Sequence, residues 1–268
     1  MNRIDATFQA LRAAGRKGFV AYICAGDPNL KATAALARAF SGAGVDVLEL
    51  GVPFSDPLAD GVVNQLASER ALRAGATLNG VLKMVAGLRR GGLRTPIVLY
   101  IYFNVVHRHG LKRFARDAAA AGVDGVLALD LPPEEAGAYE VLMKRAGVHP
   151  IYLIAPTTPG RRVGEIARHA SGFLYYVSRE GVTGMQKKLS GAIPGHVGLI
   201  RKHTRLPVAL GFGISNPGQV RAAARMADAI VVGSAIVNQI GKHARDRDLV
   251  ARVARFVKPM ARAVHGKL

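Results

Sequence analysis

Three acids close together in the chain carry the first sign of chemistry. Glu49 lies in the apolar run VLELG at 47–51, and Asp56 and Asp60 follow in FSDPLADG at 54–61. Side chains alternate along a strand, so Val47 and Glu49 would share one face and Leu48 and Leu50 the other. A carboxylate inside such a strand is costly unless it is paired, protonated or put to use. Gly51 and Pro53 then break the strand into a loop. A buried acid followed closely by two loop acids suits general acid–base catalysis. The same spacing equally admits a structural glutamate and a solvated acidic loop.

The elements that would position these acids recur regularly. Apolar runs bounded by turn residues occur at 19–24, 46–52, 96–102, 125–130, 150–155, 172–178, 207–213 and 229–233. Helical patterns lie between them at 30–43, 78–90, 111–121, 134–146, 161–169, 189–202 and 217–224. A leading helix is expected over 5–14, an additional one over 62–74 after the second strand, and two more over 234–240 and 249–263 after the eighth. Strands alternating with helices at this length predict an α/β fold, a (β/α)8 TIM barrel forming one domain over 1–268. An open doubly wound sheet is the alternative, but no G-x-G-x-x-G follows the first strand. The segments AGVDVLEL at 43–50, AGVDGVLAL at 121–129 and MADAIVVG at 226–233 echo one another. In each, an aspartate (Asp46, Asp124, Asp228) stands at the strand's N-terminal edge and reads as structural.

Chemistry in a barrel gathers where strands end. Those ends hold Asp27-Pro28, Glu49 with its acidic loop, Tyr102 and Asn104, Asp130, Tyr175 with Tyr176 and Ser178, and glycine-rich loops after strands six, seven and eight. No predicted strand contains Lys or His. That speaks against a Schiff-base lysine and against a metal centre of clustered His and carboxylates. His107 and His109 fall on a predicted loop and lack a third ligand. The glycine-rich loops, with Ser215 and Ser234 beside them, suit a phosphate; tight turns are the alternative. The residues taken alone therefore describe a metal-free barrel enzyme acting on a phosphate ester.

Composition narrows the classes. The chain has 268 residues, half of them hydrophobic, one cysteine and a net charge of +19. No apolar run reaches membrane-spanning length. Cys24 sits in an apolar run and reads as a small buried hydrophobe. A single cysteine excludes an internal disulfide and suits the cytoplasm. The positive charge is spread along the chain without aromatic interleaving, so no specific nucleic-acid binding is expected.

The motifs LELGVPFSDPLADG at 48–61, GDP at 26–28, DLPPEE at 130–135, APTTP at 155–159, YYVSREGVTG at 175–184, GFGIS at 211–215 and VVGSAIV at 231–237 together resemble the α subunit of tryptophan synthase, over almost the whole chain. The resemblance implies retro-aldol cleavage of indole-3-glycerol phosphate to indole and glyceraldehyde 3-phosphate, with no cofactor in this chain. It implies that Glu49 protonates the indole ring and takes the proton of the glycerol hydroxyl, and that Asp60 holds the indole N–H. Tyr175 and Thr183 would support them. Gly184, Gly213, Gly233 and Ser234 would bind the phosphate. Tyr22, Tyr100, Leu127, Asp130 and Phe212 would line the pocket. It further implies a β subunit carrying pyridoxal phosphate, joined in an α2β2 heterotetramer through a surface around Pro53, Asp56, Tyr102 and Asn104. A stand-alone lyase that releases free indole is the alternative.

The chain departs from the family pattern in places. Val62 and Asn64 stand where Pro and Ile are usual, Tyr22 where Phe is common, and Tyr100, Ile101 and Val105 where Met, Gly and Pro are expected.

Overall fold

The computed structural model describes residues 1–178, 191–211 and 213–266. Among these residues eight parallel strands close a barrel in sequential order: β1 (Gly18–Cys24), β2 (Val47–Gly51), β3 (Ile97–Ile101), β4 (Gly125–Ala128), β5 (His149–Ile154), β6 (Leu174–Val177), β7 (Val208–Gly211) and β8 (Ala229–Val232). The helices among the described residues are α1 (Arg3–Ala13), α2 (Leu30–Ala43), α3 (Val62–Arg73), α4 (Leu78–Arg90), α5 (Phe103–His109), α6 (Leu111–Ala121), α7 (Gly137–Arg145), α8 (Gly160–His169), α9 (Ile193–His203), α10 (Pro217–Ala224), α11 (Ser234–Lys242) and α12 (Leu249–His265). The predicted (β/α)8 barrel is thus observed, with its extra helices before β1 and after β2 and β8.

Strand alternation divides the apolar residues into two layers. Val20, Val47, Val98, Leu127, Ile151, Ala209 and Val231 fill the barrel interior, where Ile4, Phe8 and Leu11 of α1 pack against them. Leu48, Leu50, Leu99 and Leu210 face the surrounding helices instead. Val47 and Glu49 therefore point inward, as the pattern at 47–51 requires. Gly125 is needed within this interior, because a Cβ there would lie 2.8 Å from Ile151 and 3.0 Å from Ile4.

The three echoed aspartates do the same job. Asp46 Oδ2 accepts the Phe19 N–H at 2.7 Å, Asp124 Oδ2 the Ile97 N–H at 2.8 Å, and Asp228 Oδ2 the Val208 N–H at 3.0 Å. Each ties the start of one strand to the start of its neighbour. Each also meets a basic side chain: His265 on Asp46, Arg3 and Arg89 on Asp124, Lys17 and Arg201 on Asp228.

Several expectations are corrected. The helix expected over 134–146 divides into a 3-10 turn, Pro133–Glu135, and a helix Gly137–Arg145; proline suits a helix start, while glycine disfavours a helix interior. The helix expected from 189 begins at Ile193. His107 and His109 lie on α5 rather than on a loop, and the His109 side chain is only 8% exposed, 2.9 Å from Asp117. Strand β5 begins one residue earlier than expected, at His149, which bonds Asp5 and Ser171.

Candidate active site

Glu49 occupies the middle of β2, paired in register with Tyr22 on β1 and Val98 on β3. Its side chain is buried, and neither carboxylate oxygen has a hydrogen-bond partner among the described residues. Burial, and then the charge of nearby Asp60, pushes its pKa up to about 8. Glu49 is therefore a neutral acid at pH 7, able to donate a proton and, once ionised, to recover one.

Asp60 reaches the same space from the loop after β2. The Tyr100 hydroxyl donates to its Oδ1 at 3.1 Å, the Asn64 amide to the same oxygen at 3.3 Å, and the Tyr102 hydroxyl to Oδ2 at 2.9 Å. Burial raises its pKa, and these three donors oppose the rise. The loop is fastened from two sides. Gln65 holds the Asp60 carbonyl at 2.8 Å, Ser68 on α3 bonds both the N–H and the carbonyl of Phe54, and the Tyr102 hydroxyl accepts the Ala59 N–H at 3.0 Å. Helix α3 is itself anchored, since Arg70 forks onto the buried Asp27 at 2.7 and 2.9 Å. Asp27 is thus structural rather than a reacting group.

Tyrosines enclose the pair. Tyr22 and Tyr100 meet edge to face at 5.0 Å. Two strand-end glycines leave room for hydroxyls: a Cβ at Gly51 would collide with Tyr22, and one at Gly211 would lie 2.7 Å from the Tyr175 hydroxyl. Tyr175 stands close enough to Glu49 and Asp60 for their charges to reinforce the effect of burial in raising its pKa. Leu127, buried in the barrel interior and paired with Tyr100, forms part of the floor. Asp130 is exposed, and its carboxylate accepts the Phe103 N–H at the start of α5 at 2.6 Å. Gly213 follows β7. Gly233 and Ser234 open α11 directly after β8, where first-turn N–H groups have no partner within the helix. Thr183, Gly184 and Phe212 lie outside the described residues.

Of the surface residues, Asp56 and Asn104 are exposed and Pro53 is buried. Tyr102 is buried, stacks on Phe54 at 5.1 Å and gives its hydroxyl to Asp60. Sequence reasoning missed Leu58, Val62 and Leu66, which are 87%, 60% and 48% exposed. The signal available was the apolar pair Val62 and Leu66, one turn apart on α3, with no partner face assigned to it. Among the described residues, no group of three or more His, Cys, Asp or Glu could hold a metal ion. No helix among them is long and apolar enough to cross a membrane.

Two unlike carboxylates at the C-terminal side of a closed barrel, beside a glycine-opened helix end, define a barrel enzyme of the acid–base type. Comparison with known proteins makes the assignment specific. Residues 8–265 match the family model described as tryptophan synthase alpha chain. A tryptophan synthase alpha chain of Opitutus terrae is 52% identical over 90% of each chain, and one of Burkholderia multivorans is 46% identical over 99% of this chain and 98% of its own. The crystal structure of the subunit from Legionella pneumophila superposes with a TM-score of 0.89 at 37% identity, covering 98% of both chains. The chain belongs to the tryptophan synthase alpha chain family, whose members are lyases of tryptophan synthesis. These relatives support the α-chain role rather than that of a free-standing lyase.

Proposed function

We propose that the chain cleaves indole-3-glycerol phosphate to indole and glyceraldehyde 3-phosphate by a retro-aldol reaction. Neutral Glu49 protonates indole C3, making the ring an electrophilic iminium. The resulting Glu49 carboxylate takes the proton of the adjacent glycerol hydroxyl as the C–C bond breaks and the aldehyde forms. The glutamate is thereby returned to its starting state. Asp60 accepts the indole N–H and stabilises the positive charge on the ring. Tyr175 and Thr183 assist, and Gly184, Gly213, Gly233 and Ser234 hold the phosphate. The step draws on no cofactor in this chain. The observation that carries the reading is the contrast between Glu49, buried and without a donor among the described residues, and Asp60, held by three.

The indole then passes, in the cytoplasm, to a β subunit that uses pyridoxal phosphate, within an α2β2 heterotetramer. Exposed Leu58, Val62 and Leu66, next to Asp56, support a partner surface there, since exposed apolar patches mark interaction sites. The test is indole release by wild type and Glu49→Gln, with and without a tryptophan synthase β subunit. Wild type should cleave, the β subunit should accelerate it, and the variant should lose about 10²–10⁴-fold. An active Glu49→Gln would remove Glu49 from the mechanism, and no indole from wild type would refute the substrate.

A further inference from the structure

Asp60 is held by three neutral donors on separate elements, with Tyr102 just beyond β3, Tyr100 on β3 and Asn64 on α3. Tyr100 and Asn64 both donate to one atom, Asp60 Oδ1, at 3.1 and 3.3 Å. Donors from two different elements thus converge on a single oxygen of this carboxylate.

We propose that Tyr100 and Asn64 are positioning residues that together hold Asp60 as an oriented anion and set the low-pH limit of the cleavage. This rests on the reaction proposed above. Asp60 must oppose a positive charge that develops on the indole ring, so its own negative charge has to remain uncompensated. A lysine or arginine would stabilise the carboxylate but cancel that charge. Neutral donors stabilise it and leave the charge in place. Among the described residues no cation forms an ion pair with Asp60. The titratable groups that face it are Glu49 on β2, Tyr22 and Cys24 on β1, Tyr100 on β3, Tyr102 just beyond it, and Tyr175 on β6. None of these supplies positive charge, so retention of the anion depends on the hydrogen bonds. Asn64 Oδ1 is also buried and without a hydrogen-bond partner among the described residues, an acceptor beside Asp60 for a donor on the ligand.

The test is to titrate Asp60 directly, by carbon-13 NMR of carboxyl-labelled aspartate in the full chain, assigned with Asp60→Asn. Wild type is compared with Tyr100→Phe, Asn64→Leu and the double variant. Each single change should raise the Asp60 midpoint by about 0.5–1 pH unit, the value of one neutral hydrogen bond, and the double variant should raise it further. The acid limb of kcat/KM for indole release should move by the same amount. An Asp60 midpoint unmoved in the folded variants overturns the proposal. Failure of wild type to release indole would refute the reaction instead, and the NMR midpoint would still decide the role of the two donors. Asn64→Leu reports separately should Tyr100→Phe fail to fold.

Discussion

The two ends of the barrel treat carboxylates in opposite ways. At the N-terminal end, Asp46, Asp124 and Asp228 each accept a strand N–H and each meet a basic side chain. Toward the C-terminal end, among the described residues, Glu49 has no donor and Asp60 has only neutral ones. The first arrangement gives each acid its donors, and in return each acid ties two strands together. The second favours the protonated form of Glu49 and gives Asp60 neutral donors that oppose the rise in its pKa caused by burial. A residue type therefore says little about role until its donors are known. Carboxylates bonded to strand N–H groups and basic side chains hold the barrel closed, whereas Glu49 and Asp60 meet no basic side chain among the described residues.

The contrast can be broken most severely at Glu49. An acid whose folded pKa is raised from 4.5 to about 8 keeps its proton in the folded chain while the unfolded chain has lost it. Between those values the folded state binds more protons, so stability falls as pH rises and levels off above about 8. Glu49→Gln carries no such penalty. Its advantage over wild type in unfolding free energy should therefore grow across that window by several kcal/mol, at most about 5. Denaturant unfolding from pH 5 to 9 measures this. A constant difference would mean that Glu49 has ordinary acidity, and the comparison between the barrel ends would fail.

At the other end the expected outcome is reversed. Asp124 is buried with Arg89, whose side chain is only 10% exposed. Asp124→Ala leaves the Arg89 charge with backbone carbonyls but without its counter-ion, and the Ile97 N–H without its acceptor. The expected loss is about 3–5 kcal/mol of stability, with kcat per folded molecule unchanged. A variant that kept its stability but lost turnover would assign the aspartate to catalysis and erase the distinction.

Much of this division was legible in the sequence. Period-two alternation put Glu49 inside, and the repeated G-V-D and A-D patterns marked Asp46, Asp124 and Asp228 as one structural device. Glycine-rich strand ends pointed to the helix opening at Gly233. What could not be read were contacts that exist only once the barrel closes. Tyr102 and Asp60 are 42 positions apart, and nothing local sends that hydroxyl inward rather than to the surface. Asn64 was visible as a departure, but its role depends on the first turn of α3 bringing its amide to Asp60. His109 looked exposed because its partner, Asp117, lies on the next helix. Helix α5 escaped notice for a similar reason: the carboxylate bonded to its first N–H is Asp130, after β4.

The smallest effect sharpens the comparison within the structural set. Asp46 Oδ2 accepts both the Phe19 N–H at 2.7 Å and the His265 ring nitrogen at 2.6 Å. His265 closes α12 against the opposite end of the sequence, 219 positions from Asp46. His265→Ala removes this tether and leaves the strand-to-strand bond intact. The cost should be about 1 kcal/mol, the net value of one such hydrogen bond. Asp46→Ala should cost more, because the Phe19 N–H at the start of β1 then loses its acceptor as well. Thermal or urea unfolding of the two variants separates the contributions, and indole release should be unaltered in both. Equal losses would show that the strand N–H contributes nothing, and that the repeated aspartates serve their basic partners rather than the barrel.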